Sequence, residues 1–332
     1  MSKSLHHFLR LSVLLGLTLV MVIACHKLPA QKVLAPNGKL PTSECRVVKH
    51  DLGETCVPLN PKRVVVLGAE LDGLVALGVK PFGTTAEMKP YLKPYLTQAE
   101  AEAIKYVGVK ETGPSLEAVL SLKPDLILEV AWGNSLTYQH LSQVVPMVVV
   151  IPESDGQWKP AFLKFAEALG KEQEAKQVLT NYDARLAEFK ARMGDRLNHV
   201  KISLVRIYPN GISFYLKTSF SGSILAEAGL KRPPAQDKAP RGQNQEQVNK
   251  ELIHVLESDM MFVWTYGHTS DIARSAQVAL KRLQSDPLWS TLEVVQRNQI
   301  YEVPSLYWFG NGPIAANLVV DDLFKYFLDQ PA

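Results

Sequence analysis

The stretch from Lys171 to Met193 constrains this chain more than any other, because it holds no glycine or proline and consists mostly of strong helix formers. Within it Ala175, Val178, Leu179, Tyr182, Leu186 and Phe189 recur at spacings of three and four, the period of one helix face. At 1.5 Å per residue, one helix of roughly 35 Å follows. The flanking sequence is different in kind. Before the helix, short apolar runs at Arg63 to Leu67, Lys105 to Val107, Leu126 to Val130 and Met147 to Ile151 alternate with helical-length segments such as Leu71 to Leu77 and Leu116 to Leu122. After it the alternation resumes at Lys201 to Ile207, Ile212 to Leu216, Met260 to Trp264 and Ile300 to Val303. Continuous apolar runs suit strands covered by helices on both faces, and their alternation with helices implies parallel sheets.

The fold class expected is therefore α/β, with two Rossmann-like α/β lobes joined by one long backbone helix. The N-terminal lobe spans 45–170, the connecting helix 171–194 and the C-terminal lobe 195–332. An internal repeat supports paired lobes. Glu117 is followed eight residues later by Asp125 and the run Leu126-Ile127-Leu128, and Glu251 is followed at the same offset by Asp259 and the run Met260-Met261-Phe262-Val263.

The N-terminus sets the compartment. Lys3 and Arg10 precede an apolar run from Leu11 to Ala24, shorter than the roughly 20 residues that span a bilayer. It reads as a signal peptide over 1–25. The run ends in Val22-Ile23-Ala24-Cys25, a lipobox pattern that makes Cys25 the expected lipidation site. The alternatives are an uncleaved anchor or a signal peptide with a coincidental Cys. Residues 26–44 are polar and Pro-bearing, as a tether would be. Cys45 and Cys56 remain as an even pair in a compartment where disulfides persist, flanking the turn signal Asp51-Leu52-Gly53-Glu54. A hairpin closed by a Cys45–Cys56 disulfide is expected, with two free thiols as the other reading.

Thirty-six Lys and Arg against 33 Asp and Glu leave a net charge of +3 without charge blocks, so the chain carries no nucleic-acid footprint. A hydrophobic fraction of 46% allows a sizeable core. Motifs for a phosphate loop, a zinc protease pair and a nucleophile elbow are absent from the sequence. Gly310-Asn311-Gly312-Pro313-Ile314-Ala315 matches a loose dinucleotide pattern, but too little chain follows for a second strand and an acidic ribose partner. It reads as a tight turn opening the last helix. The eight His residues show no ligand spacing, so no metal is expected to bind the protein directly.

Several segments together carry a family likeness. Pro61 to Leu67, Leu77-Gly78-Val79-Lys80-Pro81-Phe82-Gly83, Ser115 to Val119 running to Lys123-Pro124-Asp125-Leu126-Ile127, and Asn298 to Val303 resemble the periplasmic siderophore-binding proteins. These are relatives of the ferric dicitrate, ferric hydroxamate and cobalamin binders, and the likeness covers about residues 45–330. It implies a helical-backbone periplasmic binding protein, not an enzyme, without a cofactor. Such a protein captures a ferric siderophore of hydroxamate or citrate type between its lobes and delivers it to an ABC permease dimer of the inner membrane. It implies further that Glu117 and Glu251 dock on permease arginines, since Arg–carboxylate pairs give that contact its geometry. Without the likeness, each is a first-turn Glu favoured by the helix dipole.

Ligands of α/β sheets bind at the carboxyl ends of the strands. Arg206 and Tyr208 end one strand, and in the family an Arg there often faces the chelate. Trp132, Trp264, Tyr266, Tyr307 and Trp308 follow other strands, and Arg241 lies in a Pro-rich loop. Cations, rings and hydrogen bonds are what a bulky chelate needs when its iron is already saturated. Core packing is the competing reading for each aromatic, and a surface or interlobe ion pair for Arg206. The protein is expected to be an exported monomer, held by membrane lipid through Cys25 at the periplasmic or outer face of the membrane. A cobalamin or haem binder of the same fold is the alternative within the class, and a cell-surface enzyme processing metal chelates the alternative outside it.

Overall fold

The structure is a computed structural model that describes residues 44–68, 71–85, 90–109, 113–267 and 270–329. The expected signal peptide, Cys25 and the tether up to residue 43 lie outside the described residues.

Strands are numbered in chain order. The first lobe contains β1 (Cys45–His50), β2 (Gly53–Pro58), β3 (Val64–Leu67), β4 (Gly83–Thr84), β5 (Lys105–Tyr106), the short pair β6 (Gly108–Val109) and β7 (Gly113–Pro114), then β8 (Leu126–Val130) and β9 (Met147–Val150). Its main sheet runs β5-β4-β3-β8-β9, and every neighbouring pair is parallel. The strand side chains split by parity, as a pleated strand requires. Val64 and Val66 enter one core cluster, whereas Val65 and Leu67 enter another on the opposite face. Both faces are thus covered, which is why β3, β8 and β9 are apolar runs with almost no polar residue. The β1–β2 hairpin carries the Cys45–Cys56 disulfide, with a Cα–Cα distance of 5.4 Å. The two cysteines are not directly opposite: Cys45 pairs with Pro58 and Val47 with Cys56, so the bridge runs diagonally.

The second sheet, β12-β11-β10-β13-β14, is built from β10 (Ile202–Tyr208), β11 (Gly211–Tyr215), β12 (Gln245–Val248), β13 (Met260–Thr265) and β14 (Ile300–Glu302). Here β10, β13 and β14 are parallel, but β11 runs antiparallel to β10 and β12 antiparallel to β11. The expectation of a uniformly parallel sheet is corrected at this edge. Only Pro209 and Asn210 separate β10 from β11, too few for the crossover a parallel pair needs.

The connecting helix spans Glu172–Met193 and buries Ala175, Tyr182, Leu186, Phe189 and Met193 on one side. Glu172 and Glu174 in its first turn and Lys190 and Arg192 in its last complement its dipole. Phe189 meets Phe324 and Phe327 of the last helix, Pro313–Phe327, edge-on at 5.7 and 5.9 Å. The lobes are packed together by this arrangement: one core cluster contains Val64 and Leu128 of the first sheet, Leu204 and Phe262 of the second, and Tyr182 between them. Polar pins flank it. Tyr182 donates to Glu227 at 2.7 Å, and Lys159 reaches the same carboxylate at 2.8 Å.

The internal repeat has a physical basis in these sheets. Asp125 accepts the N–H groups of Lys62 and Arg63, just before β3, at 2.7 and 2.9 Å. Asp259 accepts the N–H of Lys201, just before β10, at 2.9 Å. Each aspartate ties the entry of one parallel strand to the entry of its neighbour, and Glu117 and Glu251 stand exposed on the short helical turns upstream.

Candidate functional site

The chemistry gathers at the carboxyl ends of β10 and β13, where Arg206 lies beside Trp264 in the parallel register. Arg206 is only 6% exposed. Its guanidinium carbon lies 4.3 Å from the ring centroid of Phe309, 4.6 Å from that of Tyr266 and 5.3 Å from that of Tyr208. Tyr208 and Tyr266 stack on each other at 5.0 Å. The cation therefore sits in a box of ring faces, which attract it through their quadrupoles.

Its hydrogen bonding is incomplete. Arg206 donates from one terminal nitrogen to the Tyr215 hydroxyl at 2.9 Å, and its Nε has no partner. No carboxylate among the described residues pairs with it. Burial pushes the Tyr215 hydroxyl far above the ordinary tyrosine range, against the opposing pull of Arg206, so this oxygen stays neutral and supplies no countercharge. A buried cation without an anion is costly, and a ligand anion entering the box would remove that cost.

On the first lobe the corresponding strand end carries Trp132, which is 55% exposed, just after β8. The loop holding it is anchored by Glu129, whose buried carboxylate accepts the Ser135 hydroxyl at 2.7 Å. Burial raises the Glu129 pKa, an effect that the Ser135 and Thr137 hydrogen bonds oppose.

The structure brings Arg206, Tyr208 and Tyr266 together and leaves Trp132 available at its strand end. It places the other four expected residues differently. Trp264 and Trp308 are fully buried and 6.2 Å apart in the core, so they present no wall to a ligand. Trp264 follows the inward parity of β13, and Trp308 turns inward to donate its Nε1 proton to buried Asp322 at 2.7 Å. Tyr307 is half-buried and spends its hydroxyl on the same carboxylate at 2.9 Å. Arg241 is exposed and pairs with Glu153 at the surface.

Phe309 and Tyr215 were not singled out in the sequence, although a signal for each exists. Ser213 and Tyr215 share the face of β11 that pairs with Arg206, because cross-strand partners point the same way. Tyr307, Trp308 and Phe309 are three consecutive rings at the end of a helical turn, Ser305–Trp308, and consecutive side chains there cannot all face one way.

The profile of the periplasmic binding protein family matches residues 64–307. The chain is 34% identical over 305 residues to the probable siderophore-binding lipoprotein YfiY of Bacillus subtilis (strain 168), covering 88% of this chain and 90% of the relative. It is 31% identical over 273 residues to the achromobactin-binding periplasmic protein of Dickeya dadantii (strain 3937), covering 80% of this chain and 86% of that one. Among solved structures, Staphylococcus aureus SirA complexed with staphyloferrin B matches with a TM-score of 0.73 and 28% identity, over 85% of this chain and 98% of SirA. By profile, by similarity over most of its length and by fold, this chain belongs to the periplasmic binding protein family, a family of binding proteins and not of enzymes.

Proposed function

We propose that this protein is the substrate-binding lipoprotein of an ABC importer. It captures a ferric siderophore, a hydroxamate- or citrate-type chelate, between its lobes and delivers it to the permease dimer. Cys25 anchors it to lipid, Arg206 takes an anionic oxygen of the chelate, and Tyr208, Tyr266 and Trp132 supply ring faces. Glu117 and Glu251 meet the permease.

The single observation that carries the ligand assignment is the buried guanidinium of Arg206, boxed by rings, with its Nε unpaired. Such a site selects an anion of delocalised charge and large apolar area, which a ferric chelate offers and a bare ion does not. The descriptions of the relatives as siderophore-binding and achromobactin-binding support the same ligand class.

Titration followed by tryptophan fluorescence tests the reading. Ferric citrate or a ferric hydroxamate chelate is expected to quench the emission, with the iron-free chelator ineffective. Arg206→Gln is expected to weaken binding by about 10- to 100-fold, the loss of a charge-assisted contact. If no ferric chelate changes the emission, the function is wrong.

A further inference from the structure

Beyond the stacked Tyr208–Tyr266 pair, a cavity of about 260 Å³ opens over the turn that joins β10 to β11. It is lined by Asn210, Ser213 and Gln247 together with the two tyrosines and the backbone of the turn, and no charged residue lines it. Ser213 lies directly across from Arg206 in one ladder and across from Gln247 in the next, so the three side chains share one face of the sheet. Ser213 is 2% exposed, yet its hydroxyl makes no hydrogen bond among the described residues, and the side chains of Gln247 and Asn210 likewise make none.

Each of these three groups is neutral, and each can both donate and accept. An ionised group entering the cavity would leave water for a place without a countercharge, whereas an amide would find both kinds of partner. Tyr208 and Tyr266 belong both to the lining of this neutral ledge and to the cationic box, so the two adjoin and can take different parts of one ligand. We propose that the cavity is a second subsite, which takes an uncharged, amide-bearing arm of the chelate while Arg206 takes its anionic part. The preferred ligand then carries both groups, a citrate-like anion with amide-linked arms. This rests on the iron-chelate reading above.

Two probes separate the outcomes: ferric citrate, which has no amide, and the ferric complex of a citrate whose terminal carboxyls are amide-linked to hydroxamate arms. Each is titrated into the wild-type protein and the Ser213→Ala/Gln247→Leu double variant. Gln247 is exposed and Ser213 small, and an unchanged melting temperature confirms that the variant folds. The double variant is expected to bind the amide-bearing chelate about tenfold or more weakly, at about threefold to tenfold per hydrogen bond lost, and ferric citrate within about twofold of wild type. Unchanged affinity for the amide-bearing chelate, or an equal loss for both probes, overturns the subsite alone. So does a wild-type protein that binds ferric citrate but not the amide-bearing chelate. A protein that binds only the amide-bearing chelate is judged by the double variant's loss on it. If the wild type binds neither probe, the iron-chelate reading itself falls and takes the subsite with it.

Discussion

Asp72 caps the last helix, Pro313–Phe327: its carboxylate accepts the N–H of Ala315 at 2.8 Å and that of Ile314 at 2.8 Å. The two ends of this contact are more than 240 residues apart, one in the first lobe and one in the last helix. A carboxylate at a helix N-terminus satisfies unpaired donors and opposes the dipole, so the contact fastens the lobes at their shared core. Gly312 belongs to the same device, because a Cβ there would come within 2.5 Å of the Asp72 carboxyl. Asp72→Ala is expected to lower stability by about 2 kcal/mol, in line with the loss of a buried cap. Asp72→Asn, which keeps one acceptor, is expected to lose less. Urea denaturation of both variants checks the order.

The connecting helix and the main strands were legible because periodicity is a local property: Tyr182, Leu186 and Phe189 mark one face whatever they pack against. The Gly310 to Ala315 segment was read as a turn opening a helix, which it is, but its partner Asp72 was invisible because nothing local in the chain announces a contact so distant in sequence. The edge strand β12, Gln245-Glu246-Gln247-Val248, escaped notice because a half-exposed edge needs no apolar run. Arg206 is marked in the sequence by its place at a strand end, whereas Trp264 and Trp308 lie in the core, where the sequence cannot separate them from site aromatics because rings serve cores and sites equally.

His50 makes the hairpin sensitive to mild acid. Its Nδ1 accepts the Leu52 N–H at 3.2 Å, and its Nε2 lies 3.1 Å from Thr55 Oγ1, whose own proton goes to the Met147 carbonyl. The neutral ring satisfies every one of these contacts, and a second proton would break the first. Burial beneath Tyr138 lowers the His50 pKa; nearby Asp51 opposes the shift and Lys164 adds to it. The folded state thus binds fewer protons than the unfolded chain just below pH about 6.5. This contribution to stability is fully present above that pH and is lost as pH falls through the folded value. His50→Gln is expected to flatten that part of the stability curve, and denaturation midpoints measured for both proteins between pH 5 and about 7.5 decide it. Parallel curves would show that His50 plays no part.

The docking role proposed for Glu117 and Glu251 would separate capture from delivery. Both are exposed, and neither forms an ion pair among the described residues. Changing both to Ala removes surface charge alone and is expected to alter stability by less than about 0.5 kcal/mol. Ferric-chelate uptake in cells should be abolished while the affinity of the purified protein stays within about twofold of wild type. Lost affinity would move these residues from docking to the ligand site.

Asp322 tests whether the ring box depends on the helical turn behind it. Its buried carboxylate accepts the Trp308 indole at 2.7 Å and the Tyr307 hydroxyl at 2.9 Å, pinning the turn Ser305–Trp308 to the last helix. The next residue, Phe309, is the ring nearest to Arg206. Asp322→Ala removes the acceptor of the buried Trp308 indole and of the Tyr307 hydroxyl and is expected to lower stability by about 2 kcal/mol. Burial also raises the Asp322 pKa, against the pull of its two hydrogen bonds, so a neutral acceptor in its place should be tolerated better. Asp322→Asn is therefore expected to restore most of the stability, by keeping an oxygen for one donor. If the turn positions Phe309, chelate affinity should fall in Asp322→Ala and recover in Asp322→Asn, even at a temperature where both variants are fully folded. A fall in stability with unchanged affinity would show that Phe309 holds its place without the turn, and that the box is organised by Tyr208, Tyr215 and Tyr266 alone.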